Sequence, residues 1–94
     1  MKNTTSTKKI PGGKMLRIDA GCTDQVEWVN VTGDFFLHPE ETLEQIENCL
    51  VGARIPLDQP ALVQCIASVL ADSHAELIGA TPTDIVAVLQ EAVG

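Results

Sequence analysis

Aromatic side chains are scarce in this sequence: Trp28, Phe35 and Phe36 are the whole set, 3% of the chain, and tyrosine is absent. Proteins that stack the bases of single-stranded nucleic acid use several exposed aromatic platforms, which this composition does not supply. Long apolar runs are missing as well. Nothing approaches the roughly 18 consecutive apolar residues of a membrane-spanning helix. The lysines of the opening MKNTTSTKKIPGG are followed by no apolar stretch of the kind a secretory signal carries. Neither nucleic acid nor membrane is expected as a partner.

Paired cysteines are also lacking. Cys22, Cys49 and Cys65 are odd in number and lie 27 and 16 residues apart, with no Cys-x-x-Cys. A disulfide framework uses an even set, so free thiols in a reducing cytoplasm are the simplest expectation. Zinc and iron–sulfur sites need local ligand pairs, so no metal is expected. Cys49 and Cys65 fall on or beside predicted apolar helix stripes, where cysteine acts as a small hydrophobe. Catalytic signatures are absent: no Gly-x-Ser-x-Gly, His-Glu-x-x-His or P-loop occurs. His38 and His74 sit at predicted helix termini, where structural roles suffice. No catalytic residue is assigned.

Positive charge is nearly absent after residue 17. Lys2, Lys8, Lys9, Lys14 and Arg17 give the first seventeen residues +5 with no acid, while the remainder sets Arg54 against thirteen acids, a balance of −12. The net −7 therefore hides a short cationic segment able to meet an anion.

What is present is a globular chain of 94 residues, 45% hydrophobic and 20% charged. That is one small domain, which buries only about 60–65% of the surface its unfolded form exposes. Residues 1–7 read as a flexible arm and 8–94 as the domain. Pro11-Gly12-Gly13 is a turn. Beyond it Leu16, Ile18, Ala20 and Cys22 alternate with polar positions, a half-buried strand, and Thr5 to Ile10 is a weaker candidate for the strand beside it. Gln25 to Thr32 is another strand whose alternation breaks: either a β-bulge near Trp28 restores one buried face, or the strand is covered on both sides.

From Pro39 the period becomes helical. Leu43, Ile46 and Leu50 form a stripe, with Glu40, Glu41, Glu44 and Glu47 mostly on the wet side, Pro39 in the first turn and Gly52 as the stop. A second helix starts near Asp58-Gln59-Pro60 and carries Leu62, Cys65, Ile66, Val69 and Leu70. A third opens on the capping sequence Thr81-Pro82-Thr83-Asp84 and buries Ile85, Val88, Leu89 and Ala92. The fold class is α+β: a small antiparallel sheet of two to three strands followed by three helices packed on one face.

Two segments hold more than their local structure needs. In Lys9-Ile10-Pro11-Gly12-Gly13-Lys14, consecutive glycines let backbone N–H groups approach an anion, and the lysines add point charges. A flexible turn with solubilising lysines is the plainer alternative. In Gly33-Asp34-Phe35-Phe36-Leu37-His38-Pro39-Glu40-Glu41, adjacent phenylalanines lie between strand and helix. Either both are buried, or one enters the core and its neighbour faces a partner.

Together these segments resemble the accessory, carboxy-terminal domain of lipoate–protein ligases, which in some archaea and bacteria is a separate small subunit. The pattern is Lys-hydrophobic-Pro-Gly-Gly-Lys at Lys9 to Lys14, Gly-Asp-Phe-Phe at Gly33 to Phe36, Pro-Glu-Glu at Pro39 to Glu41, and Ile46-Glu47 with Leu50 and Gly52. The resemblance runs from Lys8 onward. It implies a SufE/NifU-like fold and a non-catalytic accessory role: binding the catalytic subunit as a heterodimer and enabling formation of lipoyl-adenylate. ATP, Mg and lipoate are then held by the catalytic subunit and none by this chain alone, with lipoyl carrier domains as further partners. Lys9, Pro11, Gly12, Gly13 and Lys14 are implied near the adenylate or the partner, and Asp34, Phe35, Phe36 and Pro39 in facing the partner or supporting the loop. A related-fold alternative, an iron–sulfur or sulfur-transfer scaffold, needs an exposed reactive thiol. The cysteines do not lie in the cluster-binding contexts of those scaffolds.

Overall fold

A computed structural model describes residues 1–12 and 14–94, so Gly13 of the Pro-Gly-Gly turn lies outside the described residues. The chain runs β1 (Lys2–Ile10), β2 (Lys14–Cys22), β3 (Val26–Gly33), β4 (Phe36–His38), α1 (Thr42–Leu50), α2 (Gln59–Asp72), β5 (Glu76–Ile78) and α3 (Pro82–Val93). Strands β1, β2 and β3 form an antiparallel sheet in that order, and β4 pairs with β5 in a separate two-stranded sheet. The α+β class holds. Strand β5, interposed between two helices, was not expected: three residues are too few to express a period.

The arm expected over residues 1–7 is instead ladder. Strand β1 pairs with β2 from Lys2 opposite Cys22 to Ile10 opposite Lys14. Its threonines are β-branched and suit a pleated, half-exposed surface. On the inner side the Thr4 hydroxyl donates to the Ala92 carbonyl at 2.6 Å, fixing β1 to the end of α3. Of the two readings of β3, the bulge holds: Gly21 faces Trp28 and Cys22 faces Val26, so Glu27 is the extra residue. It returns Val26, Val29 and Val31 to one buried face.

The helices cover the inner face of the three-stranded sheet, α3 against β1 and β2 and α1 against β3, with α2 behind them. Leu16, Ile18, Val31, Ile46, Leu50, Ile66, Ile85 and Leu89 meet there with almost no exposure. Burial of each such side chain stabilises by about 1.5–3 kcal/mol. Val86 is also buried, while Ala92 is half-buried.

Local chemistry sets the helix starts. Asp58 accepts from the Ala61 N–H at the head of α2. Thr81 and Asp84 form the reciprocal capping box of α3, with Pro82 in its first turn. Pro39, expected inside the first turn of α1, lies before it; its carbonyl accepts the Thr42 N–H at 3.1 Å in the turn that leads into the helix. Glu47 is half-buried, the exception in its mostly exposed row. It accepts the Val31 N–H at 2.8 Å, occupying a backbone donor on the outer edge of β3.

The expectation of three free thiols is corrected. Cys49 of α1 and Cys65 of α2 form a disulfide, their Cα atoms 6.0 Å apart, a separation that suits such a bridge. Cys65 is exposed rather than buried in the α2 stripe. Helix spacing brings the two sulfurs to facing sides of an α1–α2 hairpin, which sequence separation alone does not reveal.

Candidate functional site

The β1–β2 hairpin and the β3–β4 connection converge at Gly79, just after β5. A Cβ on Gly79 would lie 3.3 Å from the Asp34 carbonyl oxygen, 3.4 Å from Phe35 Cα and 3.7 Å from Lys14 Cγ. Its φ of +95° lies in the left-handed region, where glycine is favoured. The Asp34 N–H donates to the Met15 carbonyl at 2.8 Å, which locks the second segment to the first strand after the turn. Lys14, Asp34 and Phe35 are thus neighbours in space.

The adjacent phenylalanines divide as one of the two readings expects. Phe35 is half-buried and packs against the core, while Phe36 is 56% exposed. Phe36 lies opposite Ile78 in the β4–β5 ladder, and Ile78 is 54% exposed. The His38 ring stacks on that of Phe36 with centroids 6.4 Å apart. An apolar ridge therefore stands on the outer side of the small sheet. Shallow clefts lie on either side of it. One, of about 400 Å³, is lined by Phe35, Phe36, Leu37, Glu40 and Leu43. The other, of about 600 Å³, is lined by Ile10, Pro11, Ile78, Gly79, Thr81 and Asp84 among others.

The cationic turn borders this ridge. Pro11 and Gly12 are exposed, and Gly12 has φ +101° with open space where a side chain would project. Lys9 and Lys14 are exposed and make no ion pair among the described residues. Pro39 is half-buried at the head of α1, and Asp34 is exposed. Ile78 and Gly79 went unrecognised in the sequence. The only signal was the short Leu77-Ile78-Gly79 run between two helices.

The thiols offer no rival site. Cys22 is buried, and that burial pushes its thiol pKa up, with a smaller opposing effect from Lys2. Cys49 and Cys65 are bonded to each other. Nucleophilic or sulfur-carrying chemistry needs an exposed thiolate, which none of the three presents. The arrangement fits contact instead: exposed apolar side chains between two recesses, rimmed by unpaired lysines.

The sequence matches no protein-family model and no curated protein. By fold, the chain is similar to one in a solved structure described as an archaeal lipoylation system, a bi-partite lipoate protein ligase and its E2 lipoyl domain from Thermoplasma acidophilum. The TM-score is 0.64 at 19% identity, over 95% of this chain and 93% of that one. At this identity the likeness is one of fold, and it runs through nearly every element described above.

Proposed function

We propose that this chain is the accessory subunit of a two-part lipoate–protein ligase, binding the catalytic subunit and enabling ATP-dependent activation of lipoate to lipoyl-adenylate. The observation that carries the reading is the convergence at Gly79 of the lysine-flanked Pro-Gly turn with Asp34 and Phe35, beside the exposed Phe36–Ile78 pair. The likeness in fold to a chain from a lipoylation system supports it. Phe36 and Ile78 anchor the docking, while Phe35 and Pro39 hold the ridge in place. Adenylation joins a carboxylate to the α-phosphate of ATP with loss of pyrophosphate, so negative charge at phosphorus must be stabilised. Lys9 and Lys14 supply positive charge toward that reaction, and Gly12 allows the backbone of the turn to come close. ATP, Mg and lipoate are held by the catalytic subunit. Lipoyl carrier domains meet the assembled pair.

The test is lipoate-dependent pyrophosphate exchange by purified catalytic subunit, with and without this chain. Stimulation of at least about tenfold, equivalent to some 1.4 kcal/mol of barrier, is expected. Binding without stimulation would sink the accessory role. Phe36→Ala is expected to weaken binding by about 2 kcal/mol, the scale of an interface anchor. Lys14→Ala is expected to lower exchange at saturating chain; an unchanged rate would reduce the turn to a docking element.

A further inference from the structure

The two edges of the three-stranded sheet are treated differently. On β3, the Glu47 carboxylate takes the Val31 N–H, the Val26 N–H donates to the Ala53 carbonyl at 2.9 Å, and the Val26 carbonyl accepts the Gly52 N–H at 2.7 Å. Glu47 belongs to α1, and with Gly52 and Ala53 just beyond that helix it closes the edge. Helix α3 packs on the inner face of β1, but among the described residues none takes a backbone group on its outer edge. Its nine residues pair with β2 on one side, and no described strand lies on the other. An exposed edge of that length is a template for another strand.

Charge selects what can fill it. Strand β1 carries Lys2, Lys8 and Lys9 and no acid. Lys2 and Lys9 make no ion pair among the described residues, and Lys8 meets Glu91 only at 3.9 Å with both side chains about half exposed. A second copy pairing edge to edge would bring two cationic strands together, which is unfavourable. A strand bearing carboxylates is complementary. The edge is also continuous with the ridge described above, because Ile10, the last residue of β1, and Pro11 line the larger cleft.

We propose that the open edge of β1 accepts an extended, carboxylate-bearing segment of the ligase's catalytic subunit, which adds to the sheet as a fourth strand; this rests on the accessory-subunit reading. Backbone hydrogen bonds supply the register, and Lys2, Lys8 and Lys9 supply the charge preference. The interface then spans the sheet edge and the Phe36–Ile78 ridge.

Ser6→Pro and Thr7→Pro separate this from a purely side-chain interface. Adjacent residues in an antiparallel ladder direct their N–H groups alternately toward the partner strand and away from it. One of the two prolines therefore removes an outward donor and leaves the β1–β2 ladder intact. That variant, identified by a melting temperature near the wild-type value, is expected to bind the purified catalytic subunit at least about tenfold more weakly, a loss of 1.4 kcal/mol. In the unaltered complex, amide hydrogen exchange should slow at alternate residues of β1. Replacing Lys2, Lys8 and Lys9 together by Glu should weaken binding and abolish its decline with salt. Equal binding by the folded proline variant, or unchanged exchange along β1, overturns the edge proposal and leaves the accessory reading standing. If neither proline variant folds, the exchange measurement decides. Failure of the unaltered chain to bind at all overturns both.

Discussion

Gly79 is the residue on which the two sequence segments depend. A methyl group there would meet the Asp34 carbonyl oxygen at 3.3 Å while holding φ at +95°. Strain of this kind costs on the order of 1–3 kcal/mol. Gly79→Ala is therefore expected to lower the unfolding free energy by about that amount in urea titration, and to weaken binding to the catalytic subunit beyond the loss of folded protein. Gly12→Ala serves as a comparison, since its φ of +101° is also left-handed but no neighbour lies within 4 Å. At this scale the sequence was partly legible. Adjacent phenylalanines between a strand and a helix leave two readings open, both buried or one in and one out, and the second holds: Phe35 goes inward and Phe36 outward. The row Glu40, Glu41, Glu44 and Glu47 is mostly solvent-facing, and Glu47 is its exception. Nothing in residue type distinguishes a carboxylate that reaches a strand edge from one in water.

Elements with a full period of pattern were the readable ones. Strands β2 and β3, α2 and the capping box of α3 all follow from spacing. What pattern does not encode is partnership. Strand β1 is polar, so its pairing with β2 is dictated by the turn and by α3 rather than by hydrophobic alternation. Strands β4 and β5 are three residues each and exist as strands through each other. The Cys49–Cys65 bridge likewise depends on two helices meeting. It closes a span of 16 residues, and a loop of that size stabilises by about 3 kcal/mol in the chain-entropy account. Replacing both cysteines by serine is expected to lower stability in urea by about 2–3 kcal/mol. Reduction should produce a similar shift. Thiol titration of the unreduced protein in denaturant should find one group per chain, from Cys22. Three groups would refute the bridge.

Across the whole molecule, the charge asymmetry of the sequence becomes a spatial one. The cationic residues of the first seventeen positions are all carried on the β1–β2 hairpin, three of them along its open edge. On the hairpin's outer face Arg17 is held by Asp19, whose carboxyl pKa is lowered by hydrogen bonds from Arg17 and then Thr5. The other acids are spread over the rest of the chain, where Glu91 and Asp24 pair with Lys8 and Arg54. The candidate site lies where the hairpin meets the small sheet. That meeting was not deducible from either motif separately, since the residue joining them belongs to β5. The hydrogen bond from Val31 to Glu47 has a consequence for stoichiometry. A sheet with two receptive edges can propagate, each copy recruiting the next, whereas a sheet with one can only be completed. Glu47→Ala would restore a backbone donor to β3. The Val26 bonds to Gly52 and Ala53 remain, so the expected signature is a loss of about 1 kcal/mol in urea titration, one hydrogen bond, with light scattering unchanged. With the Glu47 carboxylate, Gly52 and Ala53 all bonded to β3, a strand added at β1 would complete the sheet and leave no second edge for another.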